Sequence, residues 1–132
     1  MEKIVWSNEL SLGIPEIDSQ HKMIIEQINI LIENLDRSDR ASLNQEIIKN
    51  LDKYSEEHFV TEEKYLRDRN YPNLENHLKV HEAFKMNTVQ SAIKVMKGHA
   101  DVPEETIQFL KKWWTSHILK TDMEYRNFFL KD

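Results

Sequence analysis

Five of the six histidines and two of the carboxylates in this 132-residue chain recur at spacings that a helix converts into neighbours. His58 and Glu62 stand four apart in EEHFVTEEKYL, and His77 and His81 four apart in HLKVH. His117 precedes Asp122 by five in HILKTD, and His21 closes GIPEIDSQH. Residues four apart are separated by about 40° around a helix and about 6 Å along it, so each four-residue pair shares a face. That face is the apolar one. The stripe Ile47, Ile48, Leu51 and Tyr54 leads onto His58, then Glu62, then Tyr65 and Leu66. A carboxylate buried alone costs several kcal/mol or takes up a proton, so Glu62 requires a partner.

Each piece taken singly has an ordinary role open to it. A His–Glu pair at this spacing is commonly a surface ion pair. A lone His21 reads as a core or cap residue, Asp122 as a solvated acid, and the pair Trp113–Trp114 as core filling. His99 lies in the polar segment KGHAD, off every stripe, and reads as an exposed histidine. The coincidence of seven such residues on the inner stripes of four helices instead indicates a metal centre.

Seven ligands are too many for one ion, so the count argues for two. With Glu62 and Asp122 each bridging, five histidines fill five positions, the carboxylates four and a water-derived bridge two. That makes eleven of the twelve positions of two octahedra, and the vacancy marks a site that binds a ligand. Imidazole and carboxylate suit iron, zinc, copper or nickel alike. Two carboxylates among five neutral imidazoles leave a divalent pair slightly positive, which favours the reduced state and reversible binding over oxidation of a substrate.

The elements that must position these residues are helices. Two glycines and three prolines are too few for the turns of a sheet, and they fall at the edges of periodic segments. The reading is all-α: one domain over residues 1–132, an up-down-up-down antiparallel four-helix bundle with an N-terminal arm at 1–17. Helices are expected at about 18–37, 42–66, 73–97 and 103–129. Asp18 and Asn73 are the expected N-caps, and Pro103 opens the fourth helix. The residue before Pro72 is pushed out of helical geometry and ends the second.

The first stripe is His21, Ile24, Ile25, Ile28, Leu31, Ile32 and Leu35. The third is Leu74, His77, Leu78, His81, Phe84, Thr88, Ala92 and Val95. The fourth holds Ile107, Leu110, Trp113, Trp114, His117, Ile118, Asp122, Tyr125 and Phe128. Five residues on an ideal helix turn about 140°, so either a π-bulge re-aims His117 or Asp122, or Asp122 reaches in from the stripe's edge.

The absence of cysteine excludes disulfides and thiolate-held metals. A net charge of −5 disfavours nucleic acid. No run approaches the roughly 18 apolar residues of a membrane span, nor does the start read as a secretory signal, so a cytoplasmic protein is expected.

Over nearly its whole length the chain resembles the hemerythrin family, most closely its bacterial single-domain form. The resemblance is carried by the arm with Trp6, by GIPEIDSQH, HFVTEE and YPNLENHLKVH, and by WWTSHILKTD. It implies a non-haem di-iron centre with a bridging oxo or hydroxo group that binds dioxygen reversibly. One iron would take His77, His81 and His117. The other would take His21 and His58 and keep the vacancy, with Glu62 and Asp122 as bridges. It further implies an oxygen pocket of Ile24, Phe59, Trp113 and Ile118, an apolar shell that excludes water and protects the irons from oxidation.

The expected function is oxygen carriage, storage or scavenging, without catalysis. The alternatives are a di-iron redox enzyme and a sensor of oxygen, nitric oxide or redox state acting through a partner. The chain contains no evident output module, and no further acid or tyrosine is assignable to turnover.

Overall fold

The computed structural model describes residues 1–96 and 101–130, with side chains described at all of these except 89–96. His99 lies outside the described residues, and the expected inner positions Ala92 and Val95 lie among the undescribed side chains. The elements are α1 (Pro15–Glu33), α2 (Arg40–Asp68), α3 (Leu74–Met96), α4 (Glu104–Ser116) and α5 (Met123–Leu130). A π-helical turn, His117–Asp122, joins α4 to α5 without a break, so the last three segments form one rod. Four helical rods therefore run up, down, up and down. α1 packs on α2 and α4, and α2 packs on α3.

The helix boundaries differ from expectation for local reasons. α1 begins at Pro15, whose fixed φ suits a first turn, so Asp18 lies inside the helix and is not its N-cap. Its carboxylate reaches back to the arm instead, accepting from the Leu12 N–H at 2.8 Å and the Ser11 hydroxyl at 2.5 Å. Gly13, at φ 72°, lets the arm turn into the helix. α1 then gives way to a 3₁₀ turn at Asn34–Asp36. α2 starts two residues before Ser42 and ends at Asp68 by its own capping, ahead of any effect of Pro72. The Tyr71 N–H bonds the Leu66 carbonyl (3.0 Å) and the Asn70 N–H that of Arg67 (3.1 Å), with Asn70 left-handed at φ 54°. This is a Schellman closure, with Leu66 and Tyr71 packed in one cluster. Pro103 is the residue before α4, its carbonyl accepting from the N–H groups of Thr106 and Ile107.

Among the described residues two large apolar clusters and a small one of Leu10, Ile25 and Ile118 fill the bundle. One large cluster combines Ile24, Ile28 and Leu31 with Leu51, Phe59, Phe84, Leu110 and Trp114. The other large one combines Leu12, Ile17, Leu66, Tyr71 and Tyr125. Along three of the rods a metal residue falls where one large cluster gives way to the other: His21 between Ile17 and Ile24, Glu62 between Phe59 and Leu66, Asp122 between Trp114 and Tyr125. A fully buried Leu or Ile contributes about 1.5–3 kcal/mol, so a polar layer there forgoes a substantial part of the core's stabilisation.

Most of the expected stripe residues are buried, but Ile47, Tyr54, Tyr65, Leu74 and Leu78 are only partly so. Leu35 and Trp113 are likewise only partly buried. Phe128 is 45% exposed, while Phe129 packs into the cluster of Tyr71 and Tyr125. Tyr125, the first expected inner position beyond the π turn, is fully buried, and the inward face then continues at Phe129, four residues on.

Candidate metal centre

α1 supplies His21, α2 His58 and Glu62, α3 His77 and His81, and the π turn His117 and Asp122. All seven are between 0 and 3% exposed. Of the two arrangements open to the last pair, the π-bulge is the one realised. An i→i+5 turn brings residues five apart onto one face, and His117 Nε2 lies 3.0 Å from Asp122 Oδ1.

The side chains converge as two groups that could each hold a metal ion: Glu62, His77, His81 and His117, and His21, His58, Glu62 and Asp122. The carboxylates divide their oxygens between the groups. Glu62 Oε1 lies 2.5 Å from His77 Nε2, 3.0 Å from His81 Nε2 and 3.6 Å from His117 Nε2. Its Oε2 lies 3.2 Å from His58 Nε2 and 4.0 Å from His21 Nε2. Asp122 Oδ1 faces His117 and His77 (3.0 and 3.5 Å), and Oδ2 faces His21 at 3.3 Å.

These spacings fit an enclosed cation. With metal–nitrogen bonds of about 2.1 Å, donors at right angles are about 3.0 Å apart and opposed donors about 4.2 Å. The imidazole pairs match the first value, His21 Nε2 to His58 Nε2 at 3.0 Å and His81 Nε2 to His117 Nε2 at 3.2 Å. Neither oxygen of Asp122, nor Nδ1 of His21 or His117, has a hydrogen-bond partner. A buried carboxylate that faces imidazole nitrogens without a formed hydrogen bond is costly, and a cation between the groups would remove that cost.

In the metal-free protein the histidines must compensate for the acids. Burial raises the Glu62 carboxyl, but His58 and the other imidazoles around it outweigh burial and hold it well below the ordinary range. Burial and the charge of Glu62 raise Asp122, yet His117 draws it below its ordinary value. Burial lowers His117, and the adjacent Asp122 reverses this, pushing it up to about 10. At His58 burial prevails over Glu62, and the imidazole is lowered. Burial, with the charges of Glu62 and Asp122, raises Tyr125, so it stays a phenol and donates to Glu62 Oε2 at 3.2 Å.

The expected pocket residues Ile24, Phe59 and Ile118 are fully buried and Trp113 partly so. Phe59 stacks on His81 with centroids 4.0 Å apart, and Trp113 on His117 at 4.5 Å. Ile24 packs in the same cluster as Phe59, whereas Ile118 packs with Leu10 and Ile25. Four contributors had no role assigned from sequence. Trp114, fully buried, lies 5.7 Å from His58 and about as near to His21 and His117 (6.3 and 6.1 Å). Tyr125 is the phenol on Glu62. Gln20 bonds His58 Nδ1 and Glu63 bonds His81 Nδ1, each at 2.9 Å. The sequence signal for the last two was their adjacency to His21 and Glu62.

An antiparallel bundle whose waist is a sealed layer of histidines and carboxylates defines a helical metal-binding protein. The hemerythrin HHE cation binding domain matches residues 12–128, and the chain belongs to the hemerythrin family. It is 34% identical to a bacteriohemerythrin of Clostridium acetobutylicum, covering 92% of this chain and 97% of that protein. A bacteriohemerythrin of Pseudomonas paraeruginosa is also 34% identical, over 95% of this chain and 80% of its own. The crystal structure of a wild-type hemerythrin superposes with a TM-score of 0.86 at 26% identity, covering 94% of this chain and 95% of that one. No described helix is long and apolar enough to cross a membrane.

Proposed function

We propose that this chain binds dioxygen reversibly at a non-haem di-iron centre, as a cytoplasmic carrier, store or scavenger of oxygen without catalytic turnover. Membership of the hemerythrin family supplies the metal and the ligand that the donor set alone leaves open. His77, His81 and His117 would hold one iron, and His21 and His58 the other, at which oxygen would bind. Glu62 and Asp122 would be ligands shared by both, and an oxo or hydroxo group would accompany the pair. Residues 1–132 act as a single domain. The ferrous pair, when bound, supplies the electrons that make dioxygen a ligand.

The observation that carries this reading is the division of each carboxylate, one oxygen to each histidine group. The chain's residues do the rest. Ile24, Phe59, Trp113 and Ile118 form the apolar surround, and Trp114 extends it across both histidine groups. Tyr125 donates to Glu62 Oε2, while His77 meets the other oxygen, Oε1.

The test is a titration of the anaerobic, iron-loaded protein with oxygen, followed by its removal. A visible band that appears and disappears with oxygen, at two irons per chain, is the expected result. Irreversible bleaching with turnover would identify an enzyme instead, and an unchanged spectrum a purely structural metal.

A further inference from the structure

Two ligand histidines carry outer hydrogen bonds of equal length and unequal charge. His81 Nδ1 meets the Glu63 carboxylate at 2.9 Å, and His58 Nδ1 meets the Gln20 amide oxygen at 2.9 Å. Each partner crosses a helix interface, Glu63 from α2 to α3 and Gln20 from α1 to α2. Each also sits one residue from a residue of the centre, beside Glu62 or His21.

The protons in both bonds are fixed by the surroundings. A carboxylate only accepts, so His81 carries its proton on Nδ1 and turns a bare Nε2 inward. For Gln20, Thr61 decides. The Thr61 hydroxyl donates to the Glu57 carbonyl at 3.0 Å, so its oxygen accepts from the Gln20 Nε2 group, also at 3.0 Å. That leaves Oε1 for His58, whose Nδ1 must then be the donor. Both histidines thus present the same tautomer, but only His81 is backed by a negative charge. His21 and His117 have no partner at Nδ1.

We infer that Glu63 and Gln20 are positioning residues that make the two metal positions electronically unequal. Glu63 makes His81 the stronger donor and draws the higher metal charge to the three-histidine position. The neutral Gln20 leaves the position of His21 and His58 the weaker-donor one. A carboxylate behind a ligating imidazole raises its basicity and fixes its ring. The inference rests on the di-iron reading of the site.

Two isosteric exchanges test it: Glu63→Gln keeps an acceptor and removes the charge, and Gln20→Glu does the reverse. An anaerobic redox titration follows ferrous to ferric iron, one electron per ion passing to the mediator. The midpoint is expected to rise in Glu63→Gln and to fall in Gln20→Glu. A second readout needs no iron. In cobalt(II) titrations of the metal-free protein, Glu63→Gln should weaken one of the two equivalents and leave the other as in the wild type. Removing an outer partner of this kind weakens metal binding by about 10–100-fold, the larger loss being expected for Glu63→Ala. A Glu63→Gln protein with both cobalt affinities and its midpoint unchanged would overturn the inference, as would one that only melts lower. If the wild type itself fails to take up two metals, the di-iron reading fails instead.

Discussion

Around Glu62 Oε1 and Asp122 Oδ1, three histidines converge from α3 and the π turn, whereas Oε2 and Oδ2 of the same carboxylates meet only His21 and His58. The halves also differ in what surrounds them. The three-histidine half has a carboxylate behind His81 and aromatic rings stacked on His81 and His117. The two-histidine half has an amide behind His58 and the phenol of Tyr125 on its share of Glu62. On the proposed di-iron reading the first half would hold its ion firmly, and the second, with one histidine fewer, would be the one open to an exogenous ligand.

The largest expected effect comes from removing what the halves share. Glu62→Leu replaces a fully buried bridge with an apolar side chain of similar size. Both ions lose a donor, so two-iron loading should fail, and with it a linkage stabilisation of several kcal/mol. The metal-free variant should lose stability as well, because the imidazoles that hold Glu62 ionised and the Tyr125 phenol are left without their acceptor. Thermal melts of both proteins, with and without iron, check this. A variant that melts lower without metal yet binds two irons normally would mean that Glu62 is structural.

Glu62 also marks how far sequence reasoning reached. The helical period placed all seven residues on inner faces, because an apolar stripe that runs through His58 and Glu62 demands a buried counter-charge. The five-residue step from His117 to Asp122 was legible as a problem, and the π turn is its solution. What the stripe could not convey was anything one helix reaches across to another. Gln20 and Glu63 look like ordinary surface residues beside ligands, and their bonds to His58 and His81 exist only once α1, α2 and α3 are packed. Asp18 was misplaced for a similar reason, since its partners Ser11 and Leu12 belong to the arm and not to the helix it precedes in a linear reading. Phe128 was misassigned because a step of three from the buried Tyr125 and a step of four to Phe129 are equally open to a helical count, and packing against Tyr71 selects the second.

A smaller effect separates the halves by their protons. His117 is pushed up to about 10 from an ordinary value of 6.5, so its contribution to the metal-free fold is complete below 6.5 and disappears as the pH rises through about 10. His58 is shifted the other way, and the unfolded chain takes its proton more readily, so it weakens the fold as the pH falls below 6.5. Metal-free protein should therefore melt lower at pH 10 than at 6.5, and His117→Gln should flatten that slope. Loading with metal displaces the His117 proton, so the loaded protein should lack the slope as well. A slope that survives in His117→Gln would place its origin elsewhere.

The smallest effect concerns Tyr125, which touches only the oxygen of Glu62 that faces His21 and His58. Tyr125→Phe preserves the ring packing and deletes one hydrogen bond to a charged group, the Oη–H to Oε2 contact of 3.2 Å. Such bonds are worth about 1.5–3 kcal/mol, and this one is long, so a loss of about 1–2 kcal/mol is expected in the metal-free protein. There the carboxylate depends on its hydrogen bonds. In the iron-loaded protein the same oxygen is engaged by a cation, and the loss should drop below about 1 kcal/mol. The freed oxygen also becomes a slightly better donor, so metal affinity at the two-histidine position should hold or rise. Melts of the variant and wild type in both forms give the comparison directly. Equal losses with and without iron would show that the phenol serves the packing of the cluster with Leu66 and Tyr71, and not the charge on Glu62.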